Sequence, residues 1–451
     1  MGQRRITFFI SPERLMVGSF LLMILVGTLL LMFPFATKRG YISPIDALFT
    51  STSAVCVTGL VVVDTGKYFT FWGQLIVLLL IQVGGLGIVT FSVFFYRLLG
   101  WDVPLREKMA IEETFAYTPV KDVFRVVKAV FIYTVVIESL GAGALFLRWI
   151  HGFPPKEAAF LSLFHTISAF CNAGFSPFSD SLARFRGDMA TNLIFAALIV
   201  SGGIGFVVLQ EVRNKGLRPR RLSLHTKVVI VTSAALIVAG VLLFFLTEIR
   251  YLLQGMTWKE RILVPFFQSV TARTAGFSTV EIASLHPSTL FFLILLMFIG
   301  ASPGSCGGGV KTTNLALLFA LAFGRLRGRE EAVLFKRALP RETVARSISI
   351  LLAAMTFIVF SLIALLLLEE RNLTATLGDE VFLRSLFDLV SAFGTVGLST
   401  GVVPHLSVAG KALFIVTMFT GRLGPLTLAC ALARRGAEAE FHYMEEKIMV
   451  G

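Results

Sequence analysis

The chain has 451 residues, of which 55% are hydrophobic and only 15% are charged, with a formal net charge of +13. A soluble domain carries about 25% charged residues, so this composition excludes a soluble enzyme of this length and also a disordered chain. The four cysteines form no CxxC pair, which argues against a disulfide scaffold or a zinc site. An integral membrane protein remains.

In chain order, eight apolar runs are long enough to cross about 30 Å of hydrocarbon as helices. Four further apolar stretches, of roughly 11–14 residues, are too short to cross and are predicted to be re-entrant or buried. The long runs lie at 15–34, 71–98, 124–149, 190–210, 228–249, 288–322, 347–369 and 406–433, and the short ones at 45–56, 157–170, 260–272 and 380–393. The order long, short, long therefore predicts four repeats, at 15–98, 124–210, 228–322 and 347–433.

The basic residues are concentrated in five segments that this arrangement puts on one side of the membrane. Segments 1–14, 97–128, 211–227, 325–346 and 434–451 carry more than half of the 41 Lys and Arg residues. Because cytoplasmic loops are enriched in Lys and Arg, we predict cytoplasmic N- and C-terminal segments at 1–14 and 434–451. The short stretches then lie on the outer side. The same distribution argues against nucleic-acid binding, since the basic residues form no aromatic-studded face.

Each repeat carries a glycine after its short stretch, within the sequences SAVCVTGL, SAFCNAGF, VTARTAGF and SAFGTVGL. A phenylalanine stands ten residues before each glycine, at positions 49, 164, 266 and 387. A single glycine of this kind could simply permit close helix packing. Its recurrence in register with the long–short–long order instead favours one structure built four times around a common axis.

Non-helical backbone is tolerated at membrane depth where it is buried in protein or lines an aqueous path. Glycine adopts the φ > 0 conformations that aim successive carbonyl groups in one direction. Four such strands would form a ring of oxygens that replaces the hydration shell of a monovalent cation. The predicted ion-binding filter comprises each glycine and the two residues before it: Val57, Thr58, Gly59, Asn172, Ala173, Gly174, Thr274, Ala275, Gly276, Thr395, Val396 and Gly397.

The sixth long run is interrupted by GASPGSCGGG at 300–309, where proline and glycine weaken the helix. We predict a pore-lining loop that lies across the path and can swing away; a simple helix kink is the alternative. Its predicted mobile part consists of Gly304, Ser305, Gly307, Gly308 and Gly309.

Two arginines lie beside or within apolar runs, where a charge is costly. Arg422 should face a partner or the water path, or else snorkel to the cytoplasmic boundary. Arg273 precedes the third filter strand, and we expect it to point away from the path and anchor the loop.

Three motifs resemble those of the Trk/Ktr/HKT superfamily of potassium transporters, most closely its Ktr-type membrane subunits. They are SAVCVTGLVVVDTG at 53–66, SPGSCGGGVKTT at 302–313 and GRLGPLT at 421–427. The resemblance covers nearly the whole chain. It implies an all-α integral membrane protein with four fused helix–pore-loop–helix repeats around a pseudo-fourfold central pore. It also implies potassium preference, because the first filter position is Gly59 rather than serine, and a gate formed by the 304–309 loop together with Arg422.

The same resemblance implies a location and partners. The Ktr-type membrane subunits are similar in pairing as homodimers and in docking on a cytosolic ring of KtrA/TrkA-type subunits that binds ATP or ADP. For this chain the resemblance implies a place in the bacterial cytoplasmic membrane. K⁺ would be the transported ion, sodium stimulation stays open, and no organic cofactor is implied for this chain. The basic loops at 213–227 and 325–346 are candidate docking surfaces for the ring, or for anionic lipid headgroups.

Two other classes of function have different sequence requirements. An enzyme is disfavoured because the chain has no HExxH, P-loop or nucleophile-elbow motif. An alternating-access cation symporter is the stronger alternative, since broken helices and internal repeats occur in that class too. Its repeats are often inverted, whereas the short stretches here share one side. Ion coupling would also call for a mid-membrane carboxylate, for which Glu138 is the nearest candidate.

Overall fold

The computed structural model describes residues 12–432 except 89, 92, 94–122, 217, 219 and 330. Most of these residues are helical, and the strands among them are Val333–Leu334 and Arg337–Ala338, which pair as an antiparallel hairpin. This architecture confirms the all-α class predicted from the sequence. The predicted C-terminal segment 434–451, most of the N-terminal segment 1–14 and most of the basic segment 97–128 lie outside the described residues.

The helices of the described residues follow one order in each predicted repeat: a long first helix, a short helix and a second helix. The first helices are α1 (Pro12–Met32), α5 (Val123–Trp149), α9 (Leu224–Glu248) and α13 (Arg341–Leu377). The short helices are α2 (Pro44–Val55), α6 (Pro155–Phe170), α10 (Trp258–Thr271) and α14 (Val381–Gly394). The second helices are α4 (Phe71–Leu86), α7 (Met189–Gly203), α11 (Pro287–Phe298) and α15 (Val408–Leu423). The remaining helices are α3 (Thr65–Tyr68), α8 (Phe206–Lys215), α12 (Thr312–Leu326) and α16 (Pro425–Leu432).

The four first helices expose large apolar side chains, as a surface in contact with lipid does. Each contains a segment long and apolar enough to cross a membrane: Glu13–Met32, Val127–Trp149, Leu224–Glu248 and Arg341–Glu369. Large apolar side chains on these helices are exposed, among them Leu140 (70%), Leu246 (68%) and Leu367 (75%). So much exposed apolar surface is unfavourable in water and favourable against acyl chains, which is consistent with a multi-pass membrane protein.

All four second helices are interrupted, although the sequence predicts an interruption only in the third repeat. Glycines with positive φ follow the ends of α4, α7 and α15: Gly87 at +87°, Gly205 at +96° and Gly424 at +88°. The chain therefore turns sharply, by 101° between α7 and α8 and by 97° between α15 and α16. A right-handed helix cannot continue through such a residue. The runs at 71–98, 190–210 and 406–433 are thus not continuous helices.

The four repeats close into a ring because each second helix packs against the short helix of the following repeat. The pairs are α4 with α6, α7 with α10, α11 with α14 and α15 with α2. Since the last pair returns to the first repeat, the four short helices surround a common axis. Within a repeat, a glycine permits the close approach of the second helix to the short helix of the same repeat. A Cβ on Gly84, Gly202 or Gly421 would lie less than 3.0 Å from the carbonyl oxygen of Val55, Phe170 or Phe393.

In the third and fourth repeats, a buried carboxylate of the first helix accepts hydrogen bonds from residues at the start of the second helix. The fully buried Glu248, at the end of α9, accepts hydrogen bonds from the backbone N–H of His286 (2.9 Å) and from the hydroxyl of Thr289. Glu369 in α13 likewise accepts from the N–H and hydroxyl of Ser407, which precedes α15. These contacts close the third and fourth repeats around their short helices.

Replacing Glu248 with glutamine should destabilise the third repeat. Glutamine removes the negative charge that accepts these buried hydrogen bonds. Because a hydrogen bond to a charged group contributes about 1.5–3 kcal/mol, the free energy of unfolding should fall. We expect a lower melting temperature for the detergent-purified E248Q variant than for the wild type. Glu281→Gln, at an exposed position, is the matched control. Equal melting temperatures for the two variants would contradict this role of Glu248.

Candidate ion pore

The strands that follow the four short helices share one unusual backbone conformation. Two residues before each glycine, φ is positive at Val57 (+58°), Asn172 (+59°), Thr274 (+79°) and Thr395 (+50°). The glycines are left-handed too: Gly59 (+86°), Gly174 (+70°), Gly276 (+76°) and Gly397 (+96°). Positive φ is a genuine outlier for β-branched residues such as valine and threonine. Strain of this kind clusters at functional sites, and here it recurs at the same position in every repeat.

The four glycines lie next to one another in a closed cycle. A Cβ on each would lie about 3 Å from the Cα of the next glycine: Gly59 meets Gly174 (3.1 Å), Gly174 meets Gly276 (3.0 Å), Gly276 meets Gly397 (3.1 Å) and Gly397 meets Gly59 (3.1 Å). The same Cβ atoms would lie less than 3.0 Å from the carbonyl oxygens of Ala173, Ala275, Val396 and Thr58. Four carbonyl oxygens, one from each strand, therefore face the glycines of the neighbouring strands, and only glycine fits at these positions.

Hydroxyl groups at the ends of the short helices hold the strands in this conformation. Ser53 and Ser391 accept hydrogen bonds from the backbone N–H of Gly59 (3.1 Å) and Gly397 (3.0 Å). In the two other repeats the hydroxyl donates to the carbonyl after the glycine: Ser168 to Phe175 (2.8 Å) and Thr271 to Phe277 (2.7 Å). These four residues were not predicted from the sequence. The sequence feature that could have identified them is the serine at the first position of three of the four recurring eight-residue sequences, SAVCVTGL, SAFCNAGF and SAFGTVGL.

In the third repeat the fully buried phenylalanine lies one residue closer to the glycine than in the other three repeats. Phe49, Phe164 and Phe387 are fully buried ten residues before their glycines, but in the third repeat the fully buried ring is Phe267, nine residues before Gly276. Phe266, the aligned residue, is only half-buried. Thr271 is shifted in the same way relative to Ser53, Ser168 and Ser391.

The 304–309 segment belongs to a loop that packs directly against the third and fourth strands. The N–H of Gly308 donates to the hydroxyl of Thr395 at 2.9 Å. A Cβ on Gly307 would lie less than 3.0 Å from the hydroxyl oxygen of Thr274, and one on Gly308 less than 3.0 Å from that of Thr395. The two glycines thus bring the loop against two predicted filter residues, and side chains there would push it away.

The loop is also hydrogen-bonded to the break between α7 and α8. The N–H groups of Ser302 and Cys306 donate to the carbonyls of Gly203 (3.1 Å) and Gly202 (3.1 Å). In return, the N–H of Phe206 donates to the carbonyl of Gly304 at 3.0 Å. The loop therefore crosses from the third repeat to the second.

Arg422 connects the loop to the first repeat. Its side chain is half-buried and turns toward the loop and the end of α4. Its guanidinium donates to the carbonyl of Cys306 in the loop and to the carbonyls of Gly84 (2.6 Å) and Gly85 (3.3 Å) at the end of α4. A guanidinium is planar and holds its N–H donors in fixed directions, so it can bind several carbonyl oxygens at once. Through this one side chain the fourth repeat bridges the loop and the first repeat.

A cavity of about 230 Å³ lies next to the loop and is lined in part by Gly304, Ser305 and Gly307. Three cationic residues, Lys311, Arg346 and Arg422, also line it. The ammonium of Lys311 donates to the carbonyl of Gly307 at 2.7 Å. A cation that entered this cavity would meet the positive charges of Arg346 and Arg422.

Arg273 points away from the glycine ring, as expected from the sequence. Its guanidinium reaches Ser233 on α9, with 3.1 Å to the hydroxyl and 3.4 Å to the carbonyl. Glu138, on α5, receives a hydrogen bond from the Gln82 amide of α4 at 3.4 Å.

Two acidic residues that follow the predicted filter strands are bound by neighbouring residues. Asp64 caps α3 by accepting from the N–H of Lys67 at 2.8 Å. Arg184 binds Asp180 through two nitrogens, and these hydrogen bonds hold the pKa of the Asp180 carboxyl below its ordinary value.

Comparisons with known proteins agree with this architecture. Residues 15–438 match the family described as TrkH, cation transport protein. The chain is 37% identical to Ktr system potassium uptake protein B of Bacillus subtilis, over 98% of this chain and 97% of the relative. It is 34% identical to potassium/sodium uptake protein NtpJ of Enterococcus hirae, over 100% of this chain and 99% of the relative. The crystal structure of the potassium transporter TrkH from Vibrio parahaemolyticus superposes with a TM-score of 0.72 at 22% identity, covering 96% of this chain and 87% of that one.

The family match extends over nearly the whole chain, and the relatives are aligned along almost their full lengths. These relatives are transporters, which confirms the prediction that the protein is not an enzyme. The superfamily resemblance drawn from the three sequence motifs is confirmed as well. The chain belongs to the TrkH/Ktr family of cation transport proteins.

Proposed function

We propose that the protein takes up potassium across the bacterial cytoplasmic membrane through a channel-like pore, and that its filter is the ring of four glycine-centred strands. The closed cycle of contacts among the four glycines carries this proposal. One carbonyl oxygen per strand faces that cycle, and oxygen ligands contributed from four sides can replace the water around an alkali cation. The names of the relatives support K⁺ as the ion, and the Enterococcus relative also names sodium.

The loop at 304–309 and Arg422 form the gate of this pore. The support is positional: Gly307 and Gly308 abut two filter threonines, and Arg422 bonds the loop to the end of α4. Opening requires these hydrogen bonds to break and the loop to withdraw. The small side chains of the loop leave room for that movement.

The protein works as a homodimer with a cytosolic nucleotide-binding ring of the KtrA/TrkA type. The relatives called Ktr system proteins support a partner component by their names. The basic segments 213–227 and 325–346 are the docking surfaces in this proposal. They include the end of α8, where Arg213 and Lys215 lie, and the hairpin of Val333–Leu334 and Arg337–Ala338. Both would be cytoplasmic in the predicted orientation, where acidic partners and anionic lipids are available.

Potassium-limited growth tests the proposed function most directly. A bacterium deleted for its own potassium uptake systems should grow at micromolar-range external K⁺ when it expresses this chain together with a Ktr-type ring subunit. Sodium omission in the same assay shows whether sodium stimulates uptake. Growth no better than that of the empty vector, with the protein present in the membrane, would reject potassium uptake.

An alternating-access symporter makes a different prediction for Glu138. Proton or sodium coupling would run through this carboxylate, whose Oε1 has no hydrogen-bond partner among the described residues. We expect Glu138→Gln to retain potassium uptake, because a pore needs no coupling group. Loss of uptake with normal membrane levels would favour the symporter.

A further inference from the structure

In three repeats, the residue two positions after the proposed filter glycine takes part in a second group of hydrogen bonds. Three of these positions are serine: Ser176, Ser278 and Ser399. Each serine hydroxyl accepts from the N–H two residues further on, at Phe178 (3.0 Å), Val280 (3.3 Å) and Gly401 (3.0 Å). The same turn is therefore built three times immediately after the filter. The first repeat has Val61 at this position and cannot form it.

Each of the three serines is bound by a polar side chain from the short helix of its own repeat, and we call these side chains the anchor residues. They are His165, at 2.9 Å from Ser176; Gln268, at 3.1 Å from Ser278; and Asp388, at 2.7 Å from Ser399. All three are fully buried. Gln268 stands one residue closer to its glycine than the other two, which matches the one-residue offset of the third repeat. The equivalent residue of the first repeat, Thr50, bonds back to the carbonyl of Asp46 in its own helix.

The anchor residues differ in charge. The Nδ1 of His165 lies 2.8 Å from the carbonyl of Leu161, so it carries the proton, and Nε2 accepts from Ser176 as part of a neutral ring. Gln268 is neutral. Asp388 accepts four hydrogen bonds from the chain after the fourth filter strand, and the ionised carboxylate is the form that accepts from all of them.

The four donors to Asp388 come from three residues of one turn. They are the Ser399 hydroxyl (2.7 Å), the N–H and hydroxyl of Thr400 (2.7 and 2.9 Å) and the N–H of Val402 (3.2 Å). Asp388 has no ion-pair partner within the described part of the chain. Arg384, one helical turn before it, is paired with Glu380 instead. The negative charge of Asp388 is thus held by dipoles and is not neutralised by a neighbouring cation.

We propose that Asp388 is the positioning residue that sets the affinity of the filter for its cation. Its carboxylate fixes the strand after Gly397 and places an unneutralised negative charge behind one side of the ring. This inference rests on the proposed function of the ring as a cation filter. It makes the four repeats unequal: the fourth is held by a charge, the second and third by neutral groups, and the first by none of these contacts. Buried charge acts on a nearby cation with little screening by salt.

Initial rates of K⁺ uptake, measured against external K⁺ in the uptake-deficient bacterium, test this. Asp388→Asn keeps the size of the side chain and removes the charge. We expect its KM for K⁺ to rise about tenfold, while Vmax per membrane-inserted protein stays within about twofold of the wild type. Val61→Ala, at the position without an anchor, is the matched control and should keep the wild-type KM. A merely structural role would lower Vmax or the membrane level and leave KM unchanged, and that result would overturn the proposal.

A second comparison keeps the proposal testable if D388N fails to reach the membrane. Ser399→Ala removes a partner of the charged anchor, whereas Ser278→Ala removes a partner of a neutral one. We expect S399A to raise KM more than S278A does; equal or reversed effects would overturn the proposal. If the wild type takes up K⁺ and these variants keep its KM, the role of Asp388 fails alone. If the wild type takes up no K⁺, the proposed function itself fails.

Discussion

Replacing Gly59 with serine should reduce the preference of uptake for K⁺ over Na⁺ by at least about tenfold, equivalent to about 1.4 kcal/mol of lost discrimination. Gly59 has a φ of +86°, which L residues other than glycine adopt at a cost of about 1–2 kcal/mol. The new Cβ would also lie less than 3.0 Å from the carbonyl oxygen of Ala173 in the next strand. That oxygen must move, so the ring loses the spacing that a dehydrated K⁺ requires.

The measurement is uptake of K⁺ and of Na⁺ by cells that express equal amounts of each protein. Gly143→Ser is the matched control, because Gly143 is an exposed residue of α5 with nothing within 4 Å of a built Cβ. The control should keep the wild-type ratio of the two ions. If G59S keeps it as well, the ring is not the selectivity filter.

Removing the side chain of Arg422 should raise K⁺ uptake by up to about a hundredfold without changing the preference for K⁺. A cation about 6 Å from a guanidinium is repelled by roughly 3 kcal/mol at an effective dielectric near 20, and about that much in a barrier is a hundredfold in rate. Arg422→Ala also breaks the hydrogen bonds that join Cys306 to Gly84 and Gly85. The loss of charge lowers the electrostatic barrier, and the loss of the hydrogen bonds releases the loop.

Arg422→Lys separates the two effects. Lysine keeps the positive charge, but a single ammonium lacks the planar fork that reaches carbonyls on both sides. If repulsion closes the pore, R422K should remain as slow as the wild type; if the hydrogen bonds close it, R422K should be fast as well. Uptake by R422A that is no faster than that of the wild type would exclude Arg422 from the gate.

The sequence was sufficient for the number and approximate limits of the short helices, since segment length against bilayer thickness decides whether an apolar stretch can cross. The four glycines could be recognised because an identical local backbone requires the same residue each time. The breaks after α4, α7 and α15 were missed. A single glycine in an apolar run is compatible with a helix, and its φ depends on what packs around it.

In the candidate site, too, some residues were predicted from the sequence and others were found only in the structure. The twelve proposed filter residues were predicted from their register with the glycines, but the hydroxyls of Ser53, Ser168, Thr271 and Ser391 and the anchor residues were not predicted. Serine, histidine and glutamine occur commonly in short helices, and only their neighbours distinguish a hydrogen bond to the filter from any other contact. The one-residue offset of the third repeat was hidden for a related reason, because Phe266 and Phe267 are adjacent and only burial tells them apart.

By itself, then, the sequence determined that this protein belongs in a membrane, that it is helical and that one glycine-centred sequence recurs four times along the chain. These properties depend on composition, length and the steric limits of single residues. The tertiary structure alone decided that the four glycines meet in one cycle, that Arg422 joins the loop to the first repeat and that Asp388 holds the fourth strand. Each of these contacts joins groups that are distant in the chain or specific in orientation, and only the packing of the ring brings them together.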